Sequence, residues 1–230
     1  MSKVALLTTV AMLAVSASSA LSQGAHPTLS VKQASTSRPF VLPQNGLQIL
    51  YDQRDNDNGV GIVSQNFESS LDSFDARGAD DFAIPKGVEW HIKRVVADGA
   101  YFNGSGPAAS YDVVVYKDAG GTPGAIADDC NNAPYTDSGA GSPIITCKVS
   151  LKGGRRGAKY WVSVQANMDF SAGGEWGWNT NNTVRGTASQ WVNPGDGFGT
   201  GCTSYTTTTT CIPSGEGGDF SFALMGKVGN

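Results

Sequence analysis

Short stretches in which β-branched and aromatic residues occupy every second position recur along this chain, each closed off by glycine or proline. Leu47, Ile49 and Tyr51 alternate with Gln48 and Leu50, and Val60 and Ile62 follow the turn 56–59. Phe82 and Ile84, then Trp90, Ile92, Val95 and Val96, continue the series. Tyr111, Val113 and Val115 follow, then Ile144, Ile145, Val149 and Leu151, then Tyr160, Val162 and Val164, and finally Phe220, Phe222 and Leu224. Residues two apart in an extended chain emerge on one face, so this spacing marks half-buried strands. The intervening clusters at 104–107, 120–124, 153–154 and 173–174 hold the Gly and Pro that turn dihedrals require. No stretch of helical period separates the strands. The pattern predicts an all-β chain, an antiparallel two-sheet sandwich of jelly-roll-like form. The 30 Gly and the 16 % charged content suit turns and short strands better than amphipathic helices.

Residues 1–20 read as a signal peptide: Lys3 supplies the positive end, 4–15 is apolar apart from two threonines, and Ser18-Ser19-Ala20 offers small residues for cleavage. The apolar run is shorter than the roughly 20 residues a membrane span needs, and no second run of that length follows. A secreted or extracellular location is expected, the periplasm included, with no transmembrane span. Residues 21–45 lack periodicity and read as a flexible lead-in, which leaves 46–230 as a single β-sandwich domain. The C-terminal stretch 220–230 shows neither an anchor nor a retention signal of the usual kinds. The formal charge of −4 becomes −5 once Lys3 is removed. That mild acidity argues against a nucleic-acid partner, which demands a basic stripe. Arg155, Arg156 and Lys159 are the one basic cluster, among glycines, and read as a solvated turn.

An even cysteine count behind an export signal implies disulfides, with three connectivities open to four cysteines. Pairing of sequence neighbours, Cys130 with Cys147 and Cys202 with Cys211, closes short loops in turn-rich regions. A zinc site has no support, since no C-x-x-C occurs and His26 and His91 lie far from the cysteines. The Thr206–Thr210 run between Cys202 and Cys211 reads as a tethered surface loop or edge hairpin.

Several phrases occur together: 79–85 (ADDFAIP) with 88–92 (VEWHI), 115–118 (VYKD) running into 121–124 (GTPG), 193–202 (NPGDGFGTGC), and the closing 219–226 (DFSFALMG). Over about residues 47–226 the chain resembles the uncharacterised β-sandwich domains of secreted bacterial proteins, similar to those in choice-of-anchor type surface proteins. The resemblance implies an extracellular sandwich and assigns no catalytic residue.

Among candidate sites, the carboxylates stand out. Asp55-Asn56-Asp57-Asn58-Gly59 partly matches a calcium loop, but its Gly stands one place early and the Glu at loop position 12 is missing; an Asx-rich turn explains it better. Asp80 and Asp81 are successive strand residues and must point to opposite faces. The inward one needs a partner, because a buried unpaired charge is costly. Structural calcium is the natural extracellular partner, which makes Asp80 and Asp81 the candidate metal ligands. Trp176 and Trp178 share a face if 175–178 is extended, and Trp191 follows near a glycine-rich loop. Exposed, these rings stack on sugars and form the candidate ligand-binding set; buried, they are core, as expected for Trp90 and Trp161.

Catalysis has little footing. His91 sits mid-strand, and neither G-x-S-x-G nor H-E-x-x-H occurs. A glycosidase would need a carboxylate pair, for which Glu89, Glu175 and Glu216 are the candidates. The sequence therefore suggests a non-catalytic binding or adhesion module at the cell exterior, with a glycan or an envelope protein as ligand. A structural or matrix assembly protein is the alternative, followed by a polysaccharide-degrading enzyme.

Overall fold

A strand forms over each alternating run, further strands form between them, and hydrogen bonding sorts them into three sheets, antiparallel except for one short parallel pair. The computed structural model describes residues 26–32, 46–137, 141–213 and 217–229; the expected signal peptide and Glu216 lie outside the described residues. With strands numbered in chain order, the largest sheet runs β15 (Thr206–Thr207), β14 (Gln190–Val192), β5 (Arg77–Ile84), β12 (Ala158–Asn167), β8 (Ser110–Asp118), β9 (Pro123–Ala133), with β4 (Gln65–Asn66) parallel to β12. A second sheet runs β10 (Tyr135–Asp137), β11 (Pro143–Lys152), β6 (Glu89–Ala97), β17 (Phe222–Gly229), β2 (Gln48–Asp52). The third runs β1 (Ser30–Lys32), β3 (Asp57–Val63), β13 (Glu175–Asn181), β16 (Asp219–Phe220), with β7 (Gly99–Phe102) also on β13.

The two five-stranded sheets meet end to end. The chain passes from β6 to β7 at Asp98 and from β16 to β17 at Ser221. There Asp98 N–H donates to Ser221 O at 3.0 Å, and Ser221 Oγ donates to the Asp98 carboxylate at 2.9 Å. Together they form one bent layer facing the seven-stranded sheet, and no sheet closes into a barrel. The sandwich is confirmed, its second layer broken into two sheets.

Side chains from both layers share one core. Phe82 of β5 stacks on Trp90 of β6 with centroids 6.1 Å apart, and Tyr111 of β8 meets Trp176 of β13 edge-on at 5.1 Å. Gly78 lies under the Trp178–Phe220 stack; a Cβ there would stand 2.7 Å from the Phe220 ring, so the layers approach this closely only over glycine.

Both expected disulfides are present, Cys130–Cys147 and Cys202–Cys211. Their settings differ. Cys202–Cys211 closes a loop, whereas Cys130 and Cys147 lie within strands β9 and β11 and bind one layer to the other. The Thr run forms the edge strand β15 and a helical turn (Thr208–Cys211).

The lead-in reading needs correction. Of residues 21–45, Ser30–Lys32 pair with Val60–Ile62 as an added edge strand, Pro27 is buried, and Leu29 packs against the core. No helix of the described residues is long and apolar enough to cross a membrane.

Candidate functional site

Trp176 and Trp178 do share one face of β13, as their spacing suggests, and they and Trp191 are all fully buried. Each indole N–H donates to a main-chain oxygen inside the fold: Trp176 to Gly141 at 2.7 Å, Trp178 to Ser221 at 2.9 Å, Trp191 to Val63 at 2.8 Å. Stacking on a sugar needs an open ring face. These rings have none, so the expected ligand-binding tryptophans are core residues.

Asp80 and Asp81 divide between the faces of β5 as alternation requires, yet both are buried. Asp80 points inward, where Oδ2 accepts from Gln53 Nε2 at 2.8 Å and Phe220 N–H at 2.6 Å. Burial, then the charge of Asp219, pushes its carboxyl well above the ordinary range. Asp81 points outward beneath the 182–189 loop; Oδ2 meets Lys159 Nζ at 2.6 Å and the Thr187 N–H at 3.1 Å. Burial raises Asp219 to about 7, and its Oδ1 is buried without a partner, which favours the neutral acid. Protein donors thus fill the place expected for calcium at Asp80 and Asp81. Among the described residues no group of three or more His, Cys, Asp or Glu side chains is arranged to hold a metal ion. Lys159, read as part of a solvated basic turn, is instead the counter-charge of Asp81.

In the 55–59 turn the Asx reading holds: Asp57 Oδ1 accepts the Gly59 N–H at 2.7 Å and Asn58 Oδ1 the Val60 N–H at 2.9 Å. Glu175 is sealed from solvent, accepting from Thr28 N–H at 2.8 Å and Asn103 Nδ2 at 2.6 Å. Burial raises it to about 7 against those bonds. A carboxyl sealed in this way cannot reach a glycosidic oxygen. Glu89, half-buried, lies 3.7 Å from Lys152, and His91 Nδ1 meets Ser150 Oγ at 2.8 Å across β11.

A different place on the outer face of the seven-stranded sheet is concave. Outward residues of β5 (Arg77, Ala79, Asp81) and of the neighbouring strands (Trp161, Val114, Tyr116) line up there, and the disulfide loop 202–211 folds over them. Arg77, Thr122, Pro123, Val192, Pro194, Ser204 and Tyr205 enclose a groove of about 530 Å³. The walls are stiffly held. Buried Asn193 donates Nδ2 to Ser73 O at 2.7 Å and Asp75 O at 2.9 Å, and its own N–H reaches Cys202 O at 2.9 Å. Tyr205 meets Tyr116 edge-on, centroids 5.8 Å apart, and its hydroxyl donates to Tyr116 Oη at 3.4 Å. Burial, then Tyr116, holds its phenol above the ordinary range, so it remains a neutral donor.

The Arg77 guanidinium has no ion pair or hydrogen bond among the described residues. No Asp, Glu, His or Cys lines the groove. It can hold a ligand, and the hydroxyls of Thr122, Ser204 and Tyr205 have no Asp, Glu, His or Lys in the lining to serve as their base. Sequence reasoning missed both residues. Tyr205 carries a signal in retrospect, an aromatic inside a disulfide-tethered polar loop, whereas Arg77 carries none. The chain matches no family model, no curated protein and no solved structure.

Proposed function

We propose that this chain is a secreted, non-catalytic binding module of the cell exterior, and that its ligand is an extracellular glycan held in the Arg77–Tyr205 groove. One observation supports this above the others: a pre-formed concavity joins the Arg77 guanidinium, which makes no hydrogen bond or ion pair among the described residues, to the Tyr205 ring, with no Asp, Glu, His or Cys in its lining. A groove of this volume takes a small oligosaccharide. The ring packs beside Tyr205 and the prolines, and an acidic substituent meets Arg77, whose planar fork suits a carboxylate or sulfate. Two disulfides and the export signal read from the sequence fit an oxidising compartment.

A glycan array with the mature protein tests the reading. Binding should favour acidic over neutral sugars. Arg77→Ala should weaken it roughly tenfold or more, the scale of one charge-assisted hydrogen bond, and Tyr205→Ala should lower it for acidic and neutral sugars alike. Undiminished binding by the double variant would remove the groove from the account.

A further inference from the structure

A second concavity lies where two turns clasp each other at the end of the sandwich. Pro85-Lys86-Gly87-Val88 links β5 to β6, with Gly87 at φ +72° and the Val88 N–H donating to Pro85 O at 3.2 Å. That is a type II turn, which needs a residue of positive φ at its third position. Beside it the 153–157 turn links β11 to β12. Two backbone bonds of 2.8 Å join the turns, Gly87 N–H to Gly154 O and Gly153 N–H to Val88 O. A Cβ at Gly153 would fall 2.0 Å from Pro85 O, so this clasp cannot form over a larger residue.

The clasp presents Lys86, Lys152 and Arg155 around a groove of about 670 Å³, with Val88 and Glu89 completing it. Three cations against one carboxylate leave a local charge of +2 on a chain of net −4. Glu89 neutralises little: its contact with Lys152 spans 3.7 Å, and the Lys152 side chain stays 75 % exposed. Lys86 and Arg155 have no ion pair among the described residues. Like charges gathered around one groove raise a positive potential there, which an entering anion relieves.

We infer that the Lys86–Lys152–Arg155 clasp is a binding site for a polyanionic polysaccharide, one carrying sulfate or carboxylate groups at successive positions. Nucleic acid fits less well, because no aromatic side chain lines the groove to stack on bases. A membrane surface fits less well too, since Val88 is the one large apolar side chain available for insertion. The site shares no residue with the Arg77–Tyr205 groove and does not depend on it.

Heparin, as the probe, is immobilised and the mature protein applied at low salt. Retention is expected, with elution as salt screens the contacts. Lys86→Gln/Lys152→Gln/Arg155→Gln should weaken binding by about tenfold or more, with unchanged circular dichroism. Glu89→Gln, which removes the competing carboxylate, should elute at higher salt than wild type. Arg77→Ala/Tyr205→Ala should lower retention less than the triple variant does, which separates the share of this site from that of the other groove; a double variant that loses as much retention as the triple variant overturns the assignment to the clasp. Flow-through of the wild-type protein overturns the inference, as does elution of the triple variant at the wild-type position. Tighter binding to anionic phospholipid vesicles or to single-stranded DNA than to heparin overturns the choice of polysaccharide.

Discussion

On β13 the carboxyl of Glu175 holds a proton that the unfolded chain would release at lower pH. Its pKa rises from 4.5 to about 7, because burial outweighs the bonds from Asn103 and Thr28. A raised carboxyl stabilises the fold fully below the unfolded value, and that contribution is lost as pH climbs through the folded one. The difference is worth roughly 3 kcal/mol. Thermal stability should therefore decline between about pH 5 and pH 8, and Glu175→Gln should flatten the curve. Asp80 and Asp219 shift in the same direction, so the variant keeps part of the slope. A slope identical to wild type would show that Glu175 is ionised in the fold. Single residues were legible in direction but not in wetness. Alternation correctly placed Asp80 and Asp81 on opposite faces and Trp176 with Trp178 on one face. It could not tell that β13, flanked by β3, β7 and β16, is covered on both faces, since that depends on partners far away in sequence.

Strands that bury at least one face are the ones the sequence displays. β11 alternates visibly in both sequence and burial, while β8 and β12 alternate in sequence although their middles are buried on both faces; β9 does neither, its 11 residues being mostly exposed or half-buried without a regular period, as suits an edge strand of the larger sheet. What holds β9 to the other layer is covalent, through Cys130 to Cys147 on β11. Replacing both by alanine should cost about 3 kcal/mol, the expectation for a closed loop of this length. Hydrogen exchange should quicken along β9 and leave β5 and β12 unchanged. Removing Cys202 and Cys211 has a different signature. That loop spans nine residues and carries Tyr205, so its release should cost slightly less stability and weaken ligand binding in the Arg77–Tyr205 groove. If the two double variants lose stability and groove binding in equal measure, the division of labour between the disulfides is wrong.

At the scale of the whole sandwich, the exposed edge of β3 is closed by a segment that composition marks as unstructured. Residues 26–32 contain no alternating run, and their order comes from long-range partners. Glu175 clasps Thr28, Leu29 O accepts the Val63 N–H at 3.1 Å, His26 stacks on Phe74 at 6.3 Å, and Ser30–Lys32 pair with β3. A sheet edge left bare offers unpaired N–H and C=O groups to another chain. A version beginning at Gly46 should lose stability on the order of 3 kcal/mol, from the departure of Leu29 and Pro27 and of the strand pairing. It should also associate through β3 in a concentration-dependent way that the longer chain does not show under the same conditions. Size-exclusion chromatography over a dilution series reads the second effect and thermal melting the first. A truncated chain with unchanged melting and no added association would mean that the strap rests on the sandwich without supporting it. Adding the separate peptide 26–32 at high concentration should reverse both changes, because the β3 edge and Glu175 remain in the truncated chain to receive it.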